Sequence, residues 1–281
     1  MERQKRALAV HDISCIGKCS LTAALPIISV SGVETAVLPT AVLSTHTGGF
    51  EAFTYRDLTN DLLPIVKHWQ SLDLSFDAIY TGFLGSVRQV DIIIEILNIF
   101  GSDCLKIVDP AMADDGKMYT TFDLTYAKEM KKLCTKADIL VPNVTEACIF
   151  LEKEYTPPPY SKSFIEGLLE GLLKLFGADI VLTGVCFDNE SLGAATIGRT
   201  SGEISYCFTK RIPQSYPGSG DVFASVLTAA LLRGFGLCES AQIAAEFTAK
   251  AVEHTFSAGT DPRFGLNFEA WLGWLAQRLD S

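Results

Sequence analysis

Short apolar, β-rich runs alternate along this chain with longer amphipathic runs, and this alternation limits the possible folds more than any other feature. "ALAV" (Ala7–Val10), "FDAIYTG", "CLKIVDPAM", "DILVPN" and "ADIVLTG" read as buried strands that end in polar or glycine residues. "SLTAALPIISVSG", "VRQVDIIIEILNIF", "DLTYAKEMKKLCTKA" and "SFIEGLLEGLLKLFG" carry helical spacing, and "ETAVLPTAVL" reads as a further extended segment. Strands that are apolar throughout need cover on both faces. The pattern therefore predicts an α/β fold, a three-layer sandwich with a mainly parallel sheet and helices on both faces. "AATIGRTSGEISYCFTKRI" turns at Ser-Gly between alternating segments and predicts an antiparallel hairpin. Two helices, Val222–Arg233 and Glu239–Phe256, follow. The proline-rich "EYTPPPYS" lies between ordinary helices and reads as a loop, so residues 1–281 are expected to form one domain.

Composition narrows the partners. Nearly half of the residues are hydrophobic and one fifth are charged, enough for a full core. A net charge of −10 argues against nucleic acid or an anionic membrane as the main partner. The eight cysteines are scattered; Cys15 and Cys19 have no second pair to complete a zinc set, and buried thiols in a reducing compartment are expected. The basic start is followed by only four apolar residues before His11, too few for a signal peptide. No window approaches ~18 uninterrupted apolar residues, so a soluble, cytoplasmic protein is expected.

Ligands of open α/β sheets bind beyond the carboxyl ends of the strands. Those ends carry His11-Asp12, Thr81-Gly82, Asp109-Pro110, Asn143, Thr183-Gly184 and the turn Pro217-Gly218-Ser219-Gly220, which runs straight into Asp221. Each has a plain structural alternative. Asp109-Pro110 suits a turn, Asn143-x-x-Glu146 a capping box, Thr183-Gly184 the end of a strand, Asp221 a helix cap, and His46 a satisfied loop position. Their gathering on one rim points to chemistry instead. Gly218, Ser219 and Gly220 would aim backbone N–H groups at an anion, and Asp221 would take a proton from a hydroxyl. Asp109, Asn143 and Glu146 suit a hydrated Mg²⁺. One base, one metal and an anion hole describe phosphoryl transfer. A Walker-type loop is absent, as is the glycine fingerprint of dinucleotide-binding folds.

The ordered motifs "HDISCIGKCS", "LSTHTGG", "TGFLGS", "DPAMADDGKMY", "PNVTEA", "VLTG" and "PGSGDVFAS" resemble those of the ribokinase superfamily, and within it the pyridoxal/pyridoxamine (vitamin B6) kinases, over essentially the whole chain. The resemblance implies ATP- and Mg²⁺-dependent phosphorylation of the 5′-hydroxymethyl group of a B6 vitamer, with K⁺ as a further candidate ion and a homodimer as the expected assembly. It makes Asp221 the base and Gly218, Ser219 and Gly220 the anion hole. Asn143, Glu146 and Asp109 would organise the metal, Asp109 and Asp114 would lie near the phosphates, and Thr183-Gly184 would meet ATP. Tyr119 would belong to a lid, while Asp12, Thr47 and Phe83 would line the pyridine pocket.

Two positions depart from that family's usual residues: Asp12 stands for Ser and Phe83 for Tyr. A carboxylate at position 12 would favour the cationic aminomethyl group of pyridoxamine over the neutral aldehyde of pyridoxal. The alternatives are that Asp12 faces the ring nitrogen or caps a helix. Other readings are a kinase for another small alcohol, such as hydroxymethylpyrimidine, and a non-catalytic vitamin-binding protein.

Overall fold

The computed structural model describes residues 3–101 and 103–280. Its strands are β1 (Arg6–Ser14), β2 (Glu34–Leu43), β3 (Tyr55–Asp57), β4 (Ala78–Thr81), β5 (Leu105–Val108), β6 (Ala113–Asp114), β7 (Lys117–Met118), β8 (Ile139–Leu140), β9 (Asp179–Val185), β10 (Ser191–Ile197) and β11 (Ile204–Lys210). Nine of them form one sheet in the order β11-β10-β9-β8-β5-β4-β1-β2-β3, and β6-β7 is a separate small hairpin. The pairs from β9 through β8, β5, β4 and β1 to β2 are parallel, whereas β3, β10 and β11 join antiparallel. Two antiparallel steps bring β11 back into the direction of β9, so Lys210 ends on the same rim as the parallel strands.

The helices are α1 (Leu21–Val30), α2 (Thr59–Ser71), α3 (Val87–Phe100), α4 (Leu124–Cys134), α5 (Val144–Phe150), α6 (Lys162–Phe176), α7 (Ser219–Leu232), α8 (Leu237–Ser257) and α9 (Leu272–Leu279). Successive strand side chains face opposite ways, and this divides the core. Leu8, Ile79, Val108, Leu140 and Leu182 pack with α2 to α6. Ala7, Tyr80, Ile107, Ile139 and Val181 pack with α1, α7, α8 and α9. The strand runs are apolar throughout because both faces are covered. The expected three-layer α/β sandwich is the fold observed.

Local departures have local causes. The ladder of β8 stops at Leu140 rather than reaching Asn143, since Pro142 has no N–H to continue it. The chain still runs beside β9 through an isolated bridge between Asn143 and Thr183. Helix α2 is not apparent from pattern alone, because Pro64 sits inside it and polar residues surround its few buried positions, Thr59, Leu62 and Val66. The helix expected from Val222 begins at Ser219, which draws Asp221 into its first turn. All eight cysteines are free; six are buried and Cys15 and Cys238 are exposed. Among the described residues no helix is long and apolar enough to cross a membrane.

Candidate active site

Gly218 is the residue before α7 and adopts the left-handed conformation, φ 81°. A Cβ there would stand 2.7 Å from the Lys18 carbonyl oxygen and 2.9 Å from Cys19 Sγ, so the position admits only glycine. The first turn has no side-chain cap. Ser219 N–H reaches the Tyr216 carbonyl and Val222 N–H the Gly218 carbonyl, which leaves the N–H groups of Gly218, Gly220 and Asp221 without acceptors in the protein. Nothing lies within 4 Å of where a Gly220 Cβ would be, so the turn has open space in front of it.

Asp221 adds a proton acceptor to that open end. Its Oδ2 accepts from the Ser20 N–H at 2.9 Å. Burial, and then the nearby Asp12 carboxylate, outweigh this bond and push the Asp221 carboxyl up to about 7. His11 Nδ1 stands 4.0 Å from Asp221 Oδ1. That contact is no ion pair, because burial lowers His11 to about 3 and leaves it neutral. Both its ring nitrogens lack partners. The ring packs edge-on against Tyr80 at 4.3 Å. It also fills the space where any side chain at position 82 would go, which accounts for Gly82.

The N-terminus of α5 is built the other way. Asn143 Oδ1 accepts from Glu146 N–H at 3.0 Å, and Glu146 Oε2 accepts from Asn143 N–H at 2.9 Å, a complete capping box. Glu146 Oε1 accepts from Met112 and Ala113 N–H, and Asn143 Nδ2 donates to the Ala113 carbonyl at 2.7 Å. Burial nonetheless raises Glu146 to about 7, despite three backbone donors that favour its charged form. Asp109 is raised well above the usual carboxylate range by burial, then by Glu146 and Asp221.

Among the described residues no three His, Cys, Asp or Glu side chains converge as metal ligands. The residues fit a divalent cation by charge rather than as a cage. Asp109 carries repulsion from Glu146 and Asp221, with no Lys or Arg among the causes of its shift or of that of Asp221. A hydrated ion answers such a cluster through its waters, and Mg²⁺ keeps several.

Asp12 is 4 % exposed, and both of its oxygens are taken: Oδ1 accepts from Ser20 Oγ at 2.6 Å and Oδ2 from Ser14 Oγ at 3.0 Å. His46 is the satisfied loop histidine: Nδ1 accepts from Gly48 N–H, so Nε2 carries the proton it donates to the Arg263 carbonyl. Thr47 and Phe83, two of the expected pocket residues, line a cleft of about 290 Å³ with Phe53, Tyr55, Asp57, Gly85 and Thr121. Asp12 does not line it. Phe83 packs on Phe122, which stacks on Tyr126.

Thr183 donates N–H and Oγ–H to the Pro142 carbonyl, and Gly184 follows with φ 74°. Asp114 sits in the β6–β7 hairpin, and Tyr119 N–H ties the end of that hairpin to the Met112 carbonyl. Tyr119 is 40 % exposed at the end of the hairpin, and desolvation and then the carboxylates of Glu146, Asp114, Asp109 and Asp221 raise its phenol. A second cleft, about 200 Å³, lies where β11 ends, between Thr209–Ile212 and the Glu246–Glu253 stretch of α8. Sequence reading missed this cleft, which no motif marks, and gave no role to Ser20, although it closes the motif "HDISCIGKCS".

The profile of the phosphomethylpyrimidine kinase family matches residues 21–263. The chain belongs to this family, a branch of the ribokinase superfamily. The fold is that of pyridoxal kinase from Lactobacillus plantarum, with a TM-score of 0.90, 31 % identity and 98 % of each chain covered. A Bacteroides thetaiotaomicron protein, provisionally assigned as a phosphomethylpyrimidine kinase and crystallised with pyridoxal, gives a TM-score of 0.90 at 34 % identity, covering 99 % of this chain and 96 % of that one. The hydroxymethylpyrimidine/phosphomethylpyrimidine kinase of Bacillus subtilis is 24 % identical over 228 residues, 80 % of this chain and 79 % of that one. The alignment with the Arabidopsis thaliana pyridoxal kinase, 27 % identical, spans 50 % of this chain and 47 % of that protein.

Proposed function

We propose that this kinase-family member, acting as one domain over residues 1–281, transfers the γ-phosphoryl group of ATP to the 5′-hydroxymethyl group of a B6 vitamer. The observation that carries the reading is Asp221, a carboxyl poised near 7 in the first turn of α7, beside two N–H groups with no acceptor. A base of that strength takes a hydroxyl proton near neutral pH. The N–H groups of Gly220 and Asp221, at the positive end of the helix dipole, stabilise charge on the phosphoryl oxygens as it develops.

The rim supports a two-substrate arrangement. In strand order from β1 to β9, Asp12, Thr81, Asp109, Asn143 and Thr183 connect the cleft at Thr47 and Phe83 to the β11 side, where the second cleft opens. We assign the alcohol to the first cleft and the nucleotide base to the second, with the phosphates laid past Thr183-Gly184 and Asp114, and Tyr119 covering them. Mg²⁺, held through water by Asp109 and Glu146 with Asn143 fixing Glu146, would supply neutralising charge beside the phosphates. K⁺ and a homodimer remain proposals from the resemblance.

The family profile and the Bacillus subtilis relative favour a second alcohol, hydroxymethylpyrimidine. Incubation with ATP, Mg²⁺ and a panel of pyridoxal, pyridoxamine, pyridoxine and hydroxymethylpyrimidine separates the readings. Turnover confined to hydroxymethylpyrimidine overturns the B6 assignment. Tight pyridoxal binding without turnover of any alcohol marks a binding protein.

A further inference from the structure

Ser20 and Asp221 lie 201 residues apart in the chain, yet Ser20 joins the half-buried carboxylate of Asp221 to the buried one of Asp12. Ser20 donates its N–H to Asp221 Oδ2 at 2.9 Å and its hydroxyl to Asp12 Oδ1 at 2.6 Å. The residue precedes α1, where a serine ordinarily turns its hydroxyl onto the helix N-terminus. Here it makes no such cap bond. Its backbone sits at φ 55°, ψ −128°, a region that side-chain-bearing residues rarely enter. An isolated bridge to Ile13 holds it there, and Ser14 occupies the other oxygen of Asp12. Strain kept at a buried residue whose hydroxyl serves a distant carboxylate calls for a reason beyond helix capping.

We propose that Ser20, anchored by Asp12, is a positioning residue for Asp221: it fixes Oδ2 and thereby turns Oδ1 toward the substrate hydroxyl. The inference rests on Asp221 as the base of the proposed reaction and gives Asp12 a role different from reading the substrate. Asp12 is buried, bonded to Ser14 and Ser20 and not among the residues lining the Thr47–Phe83 cleft, so the inference has its carboxylate act through Ser20 rather than on a vitamer amine. Its negative charge also adds to the burial that holds Asp221 near neutrality.

Three variants test this. Ser20→Gly keeps the N–H and suits the positive φ, so it folds, but it loses the anchor to Asp12. Asp12→Ala removes the anchor from the other side, and Asp12→Asn keeps an oxygen that accepts the Ser20 hydroxyl. The expected result is that Ser20→Gly and Asp12→Ala each lower kcat by about tenfold, with KM for alcohol and ATP within about twofold of wild type. The double variant is no worse than the worse single one, because both break the same unit. Asp12→Asn recovers most of the rate. The ratio of kcat/KM for pyridoxamine to that for pyridoxal stays constant throughout. A Ser20→Gly enzyme within twofold of wild type, or additive losses in the double variant, overturns the proposal. So does a ratio that moves toward pyridoxal in Asp12→Ala, since that places Asp12 on the substrate amine. If another alcohol is the substrate, the same kcat comparison is made with it. If no alcohol turns over, the proposed function fails by itself. A crystal structure of Ser20→Gly then decides the inference, an unchanged Asp221 rotamer overturning it.

Discussion

Two helix N-termini meet the same rim, and they are finished in opposite ways. At α5 the orphan donors are consumed from within: Asn143 and Glu146 cap each other, and Glu146 also gathers the backbone of Met112 and Ala113. At α7 a left-handed glycine starts the helix with no side-chain cap, and the N–H groups of Gly220 and Asp221 stay open. The same helical physics thus yields a closed corner that fixes the β6–β7 hairpin in one place and open donors in the other, which the proposed function assigns to an anion. What separates them is whether the chain supplies its own acceptor.

The sharpest way to break this contrast is Asp221→Asn, which leaves the open donors but removes the proposed base. The expected loss in kcat is at least ~10²-fold with ATP binding retained. Stability should move the other way. The folded carboxyl titrates near 7 rather than at 3.8, so its contribution to stability is fully present below 3.8 and is lost as pH rises through 7. At pH 8 the variant should therefore melt above wild type, and a melting curve at pH 5 and pH 8 checks the sign. The same titration predicts an acid limb in wild-type kcat/KM, with activity rising as pH increases through about 7. A rate that is flat from pH 5.5 to 8 would remove Asp221 as the base.

Gly218→Ala attacks the geometry of the open donors. A methyl group at positive φ, 2.7 Å from the Lys18 carbonyl oxygen, should cost about 1–3 kcal/mol in a denaturant titration and lower kcat as the turn shifts. At the closed corner, Asn143→Ala should cost about 1 kcal/mol, the usual worth of a cap. Glu146→Gln tells structure from metal. If Glu146 only caps, the Mg²⁺ concentration for half-maximal rate stays put; if it orders the waters of the ion, that concentration rises. The smallest stability effect belongs to Gly220→Ala, within about 0.5 kcal/mol of wild type because its Cβ points into open space. A raised KM for ATP with unchanged stability would identify that space as the phosphate site, and an unchanged KM would place the phosphates elsewhere.

Much of this architecture is determined by the sequence itself. Runs such as "ADIVLTG" are apolar on both strand faces, so the chain had to build a covered parallel sheet, and the strand ends had to carry the polar residues to one rim. The glycine turn before Asp221 was legible too, because an αL start to a helix restricts residue choice locally. Other features depended on distances that local pattern does not encode. The capping-box spacing of Asn143 and Glu146 was readable, but the commitment of Asn143 Nδ2 to Ala113 was not. Asp12 read as a pocket residue, whereas the fold gives both its oxygens to Ser14 and Ser20. Only tertiary structure brings Ser20 to Asp221, desolvates Asp109, Glu146 and Asp221, and sets Glu146 and Asp221 near enough to Asp109 to raise its proton affinity further. The reason is physical: periodicity follows from backbone geometry a few residues at a time, while desolvation and charge repulsion depend on what the rest of the chain places nearby.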